Sequence, residues 1–411
     1  MDRDFKSIAR LQLSKFNEVW CSAKRDIPFY AYWASQHNLP DRLGSISELK
    51  NFPVLTKDVL QQHESLIFQE GKSYQTVVTG GSTGQPTRFI TTPAEKDIEY
   101  ANTYLGRGAF AIEPLQPTIL FWGHSHLFGS GLNGKINEVK RQVLDAIVSI
   151  KRLNAYDLST KTIEGYVKLL GRLNADCIIG YTSSIYSISR FILDNQITLP
   201  LFGKLKGVIV TSETVTDHDV SVISAAFGCP VVIEYGMAET SVVAYSTPKE
   251  NGLRIFWDSF IAQTSNNNEL NLTTIYERQF PLINYATKDV VEPLVEYESS
   301  LIRINNIKGR SRDNVRVRTL SGDSLELSGI LLVHIMKGFS GLFSISYKQC
   351  PNNEVEVYVV PQEGTDVKRL QNSFKAELIK DHPEIDLSAI KVIETSEARR
   401  TIAGKTFMKV D

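Results

Sequence analysis

Between residues 159 and 235 the chain alternates helical and strand-like segments, a rhythm that few folds accommodate. Helical apolar spacing over 159–173, 183–193 and 217–227 alternates with short apolar runs at 176–179, 207–211 and 231–235. Strands joined by crossover helices pair in parallel, and a parallel sheet is stable only when helices cover both its faces. The pattern predicts an α/β fold built on a mainly parallel sheet. Ligands of such sheets bind beyond the carboxyl ends of the strands. Three strand ends here carry polar turns: Gly180-Tyr181-Thr182-Ser183, Thr211-Ser212-Glu213-Thr214, and Glu234-Tyr235-Gly236-Met237-Ala238-Glu239-Thr240.

On either side the texture differs. Helical spacing runs from about Phe5 to His37, again over 49–66 with an interruption at Pro53, and over 94–110, before a strand at 118–122. From Leu253 to Asn305 short strands dominate and predict a β-rich subdomain. Past Asp313 come a strand at 355–360, a helix at 366–380 and a short strand at 391–393. A chain of 411 residues exceeds one ordinary core. The expected division is a large domain over 1–312 and a small, mobile α+β domain over 313–411.

Composition narrows the partners. Lys and Arg number 45 against 46 Asp and Glu, a net charge of -1 that gives no electrostatic footprint for nucleic acid or an anionic membrane. The four cysteines, Cys21, Cys177, Cys229 and Cys350, form no C-x-x-C pair and read as small apolar residues of a reducing compartment. The first residues are acidic and do not resemble a signal peptide, and no run is long enough to span a bilayer. A cytoplasmic protein without membrane insertion is expected; its oligomeric state is not legible.

The densest chemical signal is Val78-Thr79-Gly80-Gly81-Ser82-Thr83-Gly84-Gln85-Pro86-Thr87, a stretch that suits neither helix nor strand. Glycines admit positive φ and close approach of a ligand, while backbone N–H groups and the hydroxyls of Thr79, Ser82 and Thr83 can donate to anionic oxygens. An ordinary Gly/Ser/Thr turn has the same composition, so both readings stand at this point. No Lys followed by a hydroxyl residue closes the loop, which disfavours a P-loop kinase or ATPase. The flanks, 75–78 and 88–92, read as two strands of a hairpin.

Further along, Glu239 is either a carboxylate able to hold Mg²⁺ against nucleotide phosphates or a solvated turn residue. Asp289 can accept from ribose hydroxyls or serve turn chemistry. Arg310 either reaches a nucleotide or caps the last strand before the boundary, and Lys405, preceded by Gly404, is either solvated or delivered to a distant site by a mobile domain. Gly129-Ser130-Gly131-Leu132-Asn133-Gly134 matches the dinucleotide fingerprint, but the preceding strand ends near Trp122 rather than at the first glycine. A loop is expected there, with an NAD-dependent oxidoreductase kept as an alternative. His124 and His126 lack the companion ligands of a metal site.

Taken in order, the hydroxyl/Gly loop, Ser212-Glu213-Thr214, Tyr235-Gly236 through Glu239, Asp289, Gly309-Arg310 with Asp313, and Gly404-Lys405 resemble the AMP-forming adenylating enzymes. Within that superfamily the motifs are most similar to the phenylacetate–CoA ligase branch and its capsular-polysaccharide relatives. The resemblance implies that Thr79, Gly80, Gly81, Ser82, Thr83 and Gly84 hold the β,γ-phosphates of ATP, and that Ser212, Glu213, Tyr235 and Gly236 line the nucleotide site with Tyr235 beside adenine. It implies Glu239 on Mg²⁺, Asp289 and Arg310 on ribose, Asp313 as interdomain hinge, and Lys405 between the attacking carboxylate and the α-phosphate. Trp122, His124, His126 and Tyr181 are the expected rim of the acyl pocket.

The implied activity is an ATP-dependent ligase that turns a carboxylic acid into an acyl-adenylate and passes the acyl group to an acceptor. That acceptor is an amine of a sugar or amino acid, a carrier thiol or CoA, in the setting of bacterial surface polysaccharide. Three departures bear on it: Asn284 and Lys288 stand where the branch has Arg and Gly before Asp289, Gln85 stands where a Lys is common, and 314–319 lacks the Gly-rich turn of CoA ligases. A nucleotide-binding relative without catalysis is the second alternative.

Overall fold

Proline shapes the N-terminal helices. The helical spacing from Phe5 onward divides into α1 (Phe5–Asp26) and α2 (Pro28–Gln36), because Pro28 has no N–H to donate and drives Ile27 to an extended φ of -117°. The computed structural model describes residues 4–71, 73–79, 87–122, 131–155, 160–310, 314–328, 332–333, 335–336, 339, 342–362, 364–396 and 409–410. The chain forms two compact units, Met1–Ala111 with Ile233–Lys308, and Ile112–Val232 with Gly309–Asp411.

In the first unit, α1 and α2 are followed by two short helices, α3 (Lys57–Gln62) and α4 (Glu64–Ile67). Next come the expected hairpin, β1 (Gln75–Val78) antiparallel to β2 (Arg88–Thr91), and α5 (Pro93–Gly108). Phe16, Trp20, Phe29, Tyr30, Phe52, Phe280 and Tyr285 form one buried aromatic core, with the Trp20 and Phe52 rings 5.1 Å apart edge to face. Each such ring contributes about 1.5–3 kcal/mol by leaving water, so these helices are anchored by their aromatic face.

The second unit opens with the predicted alternation: β3 (Thr118–Phe121), α6 (Gly131–Ile147), β4 (Ile150–Leu153), α7 (Thr160–Leu170), β5 (Cys177–Tyr181), α8 (Thr182–Asp194), β6 (Gly207–Thr211) and α9 (Asp217–Phe227). The order is β6-β5-β3-β4 and every pairing is parallel. All residues of β5 and β6 are buried, as strands covered on both faces must be. Ser149 at φ 59° ends the run out of α6 and brings β4 into register, with Ile150 opposite Thr118. Gly131 and Gly134 lie inside α6. The strand β3 ends at Phe121, eight positions before the first glycine of that motif, whereas a dinucleotide fingerprint begins directly at the strand's end. Gly228 ends α9 at φ 65°, the left-handed cap that glycine adopts without strain.

The β-rich stretch that follows α9 contains β7 (Val231–Met237), β8 (Ser241–Thr247), β9 (Glu250–Ile255), β10 (Phe260–Thr264), β11 (Glu269–Thr274), β12 (Tyr285–Tyr297) and β13 (Ser300–Arg310). Their order is β10-β11-β12-β13-β9-β8-β7, and the registered pairs are antiparallel. The parallel pairing predicted from the middle third is thus found in β3 to β6, while the registered pairs of β7 to β13 are antiparallel. The last segment has the hairpin β14 (Asn314–Arg318) and β15 (Ser324–Ser328), then β16 (Leu342–Cys350), β17 (Glu354–Pro361), α10 (Val367–Asp381), β18 (Ile390–Glu394) and β19 (Lys409–Val410). Val355, Val357 and Val359 share one core with Leu370, Phe374 and Leu378 of α10, strand period two meeting helix period four.

Among the described residues no helix is long and apolar enough to cross a membrane. Cys177 and Cys229 are buried as expected, and burial pushes the Cys229 thiol up to about 11; Cys21 and Cys350 are only partly covered.

Candidate active site

In the first unit, the hairpin closes the Gly-rich loop at its base. Thr79 donates from its N–H (3.1 Å) and its hydroxyl (3.3 Å) to the carbonyl of Thr87, and both residues are buried. Two short helices brace this base: Gln61 of α3 donates to the Thr87 hydroxyl at 2.9 Å, and Arg88 pairs with Glu64 of α4 while lying 4.6 Å over the Phe68 ring. Gly80, Gly81, Ser82, Thr83 and Gly84 fall outside the described residues, as do His124, His126, Asp313 and Lys405.

Glu239 is not a solvated turn residue. It is 5% exposed, and one carboxylate oxygen accepts from the Tyr285 hydroxyl at 2.6 Å and pairs with the Lys57 ammonium at 3.2 Å. A buried carboxylate requires such compensation. Among the described residues no three His, Cys, Asp or Glu side chains cluster as a metal site. A single carboxylate nevertheless suits Mg²⁺, which takes one or two protein carboxylates and completes its shell with phosphate and water oxygens.

On the strand leading into that turn, the Tyr235 hydroxyl donates to Asp289 at 2.7 Å, and both residues are buried. The two sequence-predicted nucleotide residues thus meet each other. Between them, Gly236 sits at a bulge where β7 pairs with β8, and a Cβ there would lie 2.3 Å from the Ser241 carbonyl oxygen. Glu234 is anchored by Arg107 of α5 at 3.0 Å and by the Tyr245 hydroxyl, while Arg107 also donates to Tyr245 at 3.2 Å. Burial and the adjacent Glu234 hold the Tyr245 phenol well above its ordinary value, so it stays a proton donor.

The two departures before Asp289 have structural explanations. Lys288 holds φ 66°, the left-handed conformation in which the branch's glycine is unstrained, and its ammonium pairs with Glu269 at 3.2 Å. Asn284 is fully engaged: its amide donates to the Phe52 carbonyl at 2.6 Å and accepts from Asn271 at 2.9 Å. It ties the segment before α3 to the start of β12.

In the second unit, Tyr181 ends β5 and precedes α8; its ring packs 4.6 Å from that of Trp122 at a 35° tilt. Gly180 keeps β5 close to β3, since a Cβ there would meet the Phe121 Cβ at 2.7 Å. Ser212 follows β6 in the left-handed region at φ 67°. Glu213 accepts from the Ser183 N–H at 2.7 Å and hydroxyl at 3.0 Å, so its carboxylate sits at the positive end of α8. That bond orders two of the polar strand ends together. Arg310 is the last residue of β13.

Sequence reasoning gave no role to Lys57, Tyr285 or Ser183. Ser183 stands in one of the polar strand-end turns, whereas Tyr285 reaches a carboxylate 46 positions earlier, and no local pattern announces such a pair.

No protein-family model matches the chain. It is similar to Protein CapK of Staphylococcus aureus, 26% identical over 340 residues that cover 77% of this chain and 71% of CapK. Its structure is similar to that of 2-hydroxyisobutyryl-CoA ligase in the postadenylation state with 2-HIB-AMP, at a TM-score of 0.74 and 15% identity over 99% of this chain and 90% of the ligase. The chain has the fold of the AMP-forming CoA ligases. The same fold is seen in the anthranilate CoA ligase AuaEII with anthranoyl-AMP, at a TM-score of 0.56 and 11% identity over 80% of this chain and 64% of that one. ATP-bound MatB from Rhodopseudomonas palustris also shares it, at 0.50 and 12% over 80% and 66%. Within this ligase fold the α/β architecture read from the sequence holds over nearly the whole chain.

Proposed function

We propose that the protein is an ATP-dependent, AMP-forming ligase that activates a small carboxylic acid as its acyl-adenylate and transfers the acyl group to an acceptor. The observation that carries this reading is the turn after β7. There the sequence-predicted Glu239 is buried and held by hydrogen bond and ion pair, next to the Tyr235–Asp289 pair, in a chain with the fold of ligases that bind acyl-adenylates.

The chemical problem is charge. A carboxylate is a poor electrophile and carries the same sign as ATP, so the site must neutralise charge and hold the two reactants in line. Mg²⁺, when bound with ATP, would supply Lewis acidity that offsets the phosphate charge. Glu239 would hold it, fixed by the Tyr285 hydroxyl. Tyr235 and Asp289 present an aromatic face and a carboxylate acceptor to adenosine. In this reading Thr79 and the Gly-rich loop hold pyrophosphate, Arg310 joins Asp289 at the ribose, and Lys405 neutralises charge between the carboxylate and the α-phosphate. The 313–411 segment, hinged at Asp313, is the domain that delivers Lys405. Trp122 and Tyr181, whose rings pack together, form the apolar rim that accepts the acid's side chain; His124 and His126 are assigned to the same rim from the sequence alone.

The resemblance to capsular-polysaccharide relatives, in line with the similarity to CapK, favours an amine of a bacterial glycan precursor as acceptor and a cytoplasmic setting. A carrier thiol and CoA are the competing acceptors. ATP–pyrophosphate exchange across a panel of carboxylic acids tests the activity. At least one acid is expected to support exchange, and Lys405→Ala to abolish it. ATP binding without exchange on any acid would instead identify a nucleotide-binding relative that does no chemistry.

A further inference from the structure

The residue that pairs with Glu239 was assigned no part by the motifs. Lys57 opens α3, and its position is fixed by backbone rather than by chance. Leu55 forms a parallel bridge to Tyr285: its N–H donates to the Asn284 carbonyl at 3.0 Å and its carbonyl accepts from Ala286 at 2.9 Å. Thr56 then caps α3 by accepting from the Val59 N–H at 3.2 Å, so Lys57 starts the helix two residues after the bridge. Tyr285, which the bridge holds, is the residue that donates to Glu239. Both partners of the Glu239 carboxylate are therefore positioned by one short splice between the 52–57 segment and β12.

Two further facts give Lys57 a direction of action. Its side chain is 40% exposed while Glu239 is 5% exposed, so the ammonium can move and the carboxylate cannot. Gln61 lies one turn further along α3, on the same face as Lys57, and donates to the Thr87 hydroxyl at the base of the Gly-rich loop. One helix face thus meets both the turn carboxylate and the loop base.

We propose that Lys57 is the resident counter-ion of the adenylation site. In the nucleotide-free protein its ammonium holds the cation position at Glu239, and a divalent metal arriving with ATP displaces it onto a phosphate oxygen of the same ligand. The exchange breaks an ion pair between one positive and one negative charge and replaces it with a divalent ion on Glu239, leaving a freed ammonium beside a polyanion. No covalent step is involved. This rests on the adenylating reading above, and it makes Lys57 a positioning residue for metal and phosphate.

The test titrates Mn²⁺ into the full-length protein by electron paramagnetic resonance and measures Mn·ATP binding by calorimetry, for the parent, Lys57→Met and Lys57→Arg. Removing the competing ammonium is expected to tighten Mn²⁺ alone by about fivefold, the ratio that roughly 1 kcal/mol of ion pairing carries. The same Lys57→Met change is expected to weaken Mn·ATP, and Lys57→Arg to stay near the parent in both. Opposite signs for metal alone and metal–nucleotide support the assignment; unchanged or weaker Mn²⁺ binding in Lys57→Met overturns it. Lys57→Gln gives the same readout should Lys57→Met fail to fold. Pyrophosphate exchange by the parent separates the two readings. Exchange with no gain in Mn²⁺ affinity refutes the counter-ion alone, whereas a gain without ATP binding or exchange refutes adenylation and the phosphate half of the proposal.

Discussion

Replacing Gly236 by alanine probes the strand-turn that carries Tyr235 and Glu239. An alanine Cβ at this position meets the Ser241 carbonyl oxygen at 2.3 Å and the Val242 Cα at 2.9 Å, both backbone atoms that no rotamer change can move. Ordinary contact begins near 3.4 Å, so β7 and β8 must separate by about 1.1 Å at the bulge, the difference between 3.4 and 2.3 Å. The flanking pairs Tyr235↔Ala244 and Met237↔Ser241 oppose that separation. Overpacking of this kind costs about 1–3 kcal/mol of stability. A displacement of ~1 Å in a positioning element lowers catalysis by about a hundredfold, equivalent to ~2.7 kcal/mol of barrier. Urea unfolding and pyrophosphate exchange measure the two effects. Gly108→Ala is the control, since a Cβ there meets nothing within 4 Å. Gly236→Ala with parental unfolding and exchange within about threefold of the parent, ~0.7 kcal/mol, would refute the packing account.

The remaining predictions concern charge and backbone. Burial raises the Glu99 carboxyl above its usual 4.5, against the opposing pull of Arg278. The folded state therefore takes up this proton more readily than the unfolded chain, and the resulting stability is present below 4.5 and lost as pH rises through the raised value. Glu99→Gln is expected to melt with the parent at pH 4 and above it at pH 8; a stabilisation equal at both pH values contradicts the assignment. At Lys288, glycine removes left-handed strain but adds freedom to the unfolded chain, so Lys288→Gly should change stability by less than about 1 kcal/mol. Lys288→Val, β-branched at φ 66°, should cost about 1–2 kcal/mol. Equal unfolding midpoints for the two variants would mean that the backbone relaxes there.

Elements whose signal is local were legible in the chain. The parallel strands β5 and β6 announced themselves as continuous apolar runs, α9 by its helical apolar spacing over 217–227, and the β1–β2 hairpin by β-branched flanks around a glycine-rich tip. The long strand β12 was not visible, because Tyr285 to Asp289 and the charged residues after it alternate weakly and gain their strand character from pairing with β11. Asn284 and Lys288 looked like losses from a motif, yet one satisfies distant carbonyls and the other keeps the left-handed turn. A motif comparison registers residue identity, whereas the backbone registers only whether φ and the hydrogen bonds are met.

By itself the sequence determined the α/β rhythm, the glycine-rich loop flanked by strands, and the order of polar turns that points to an adenylating enzyme. These follow from periodicity and from residue chemistry, which act over a few positions. Only the tertiary structure decided that Glu239 is buried, that Tyr285 and Lys57 are its partners, and that Tyr235 binds Asp289. Those contacts join positions tens to hundreds of residues apart, and desolvation makes each one obligatory: a carboxylate removed from water must find a donor, and the fold dictates which donor is near.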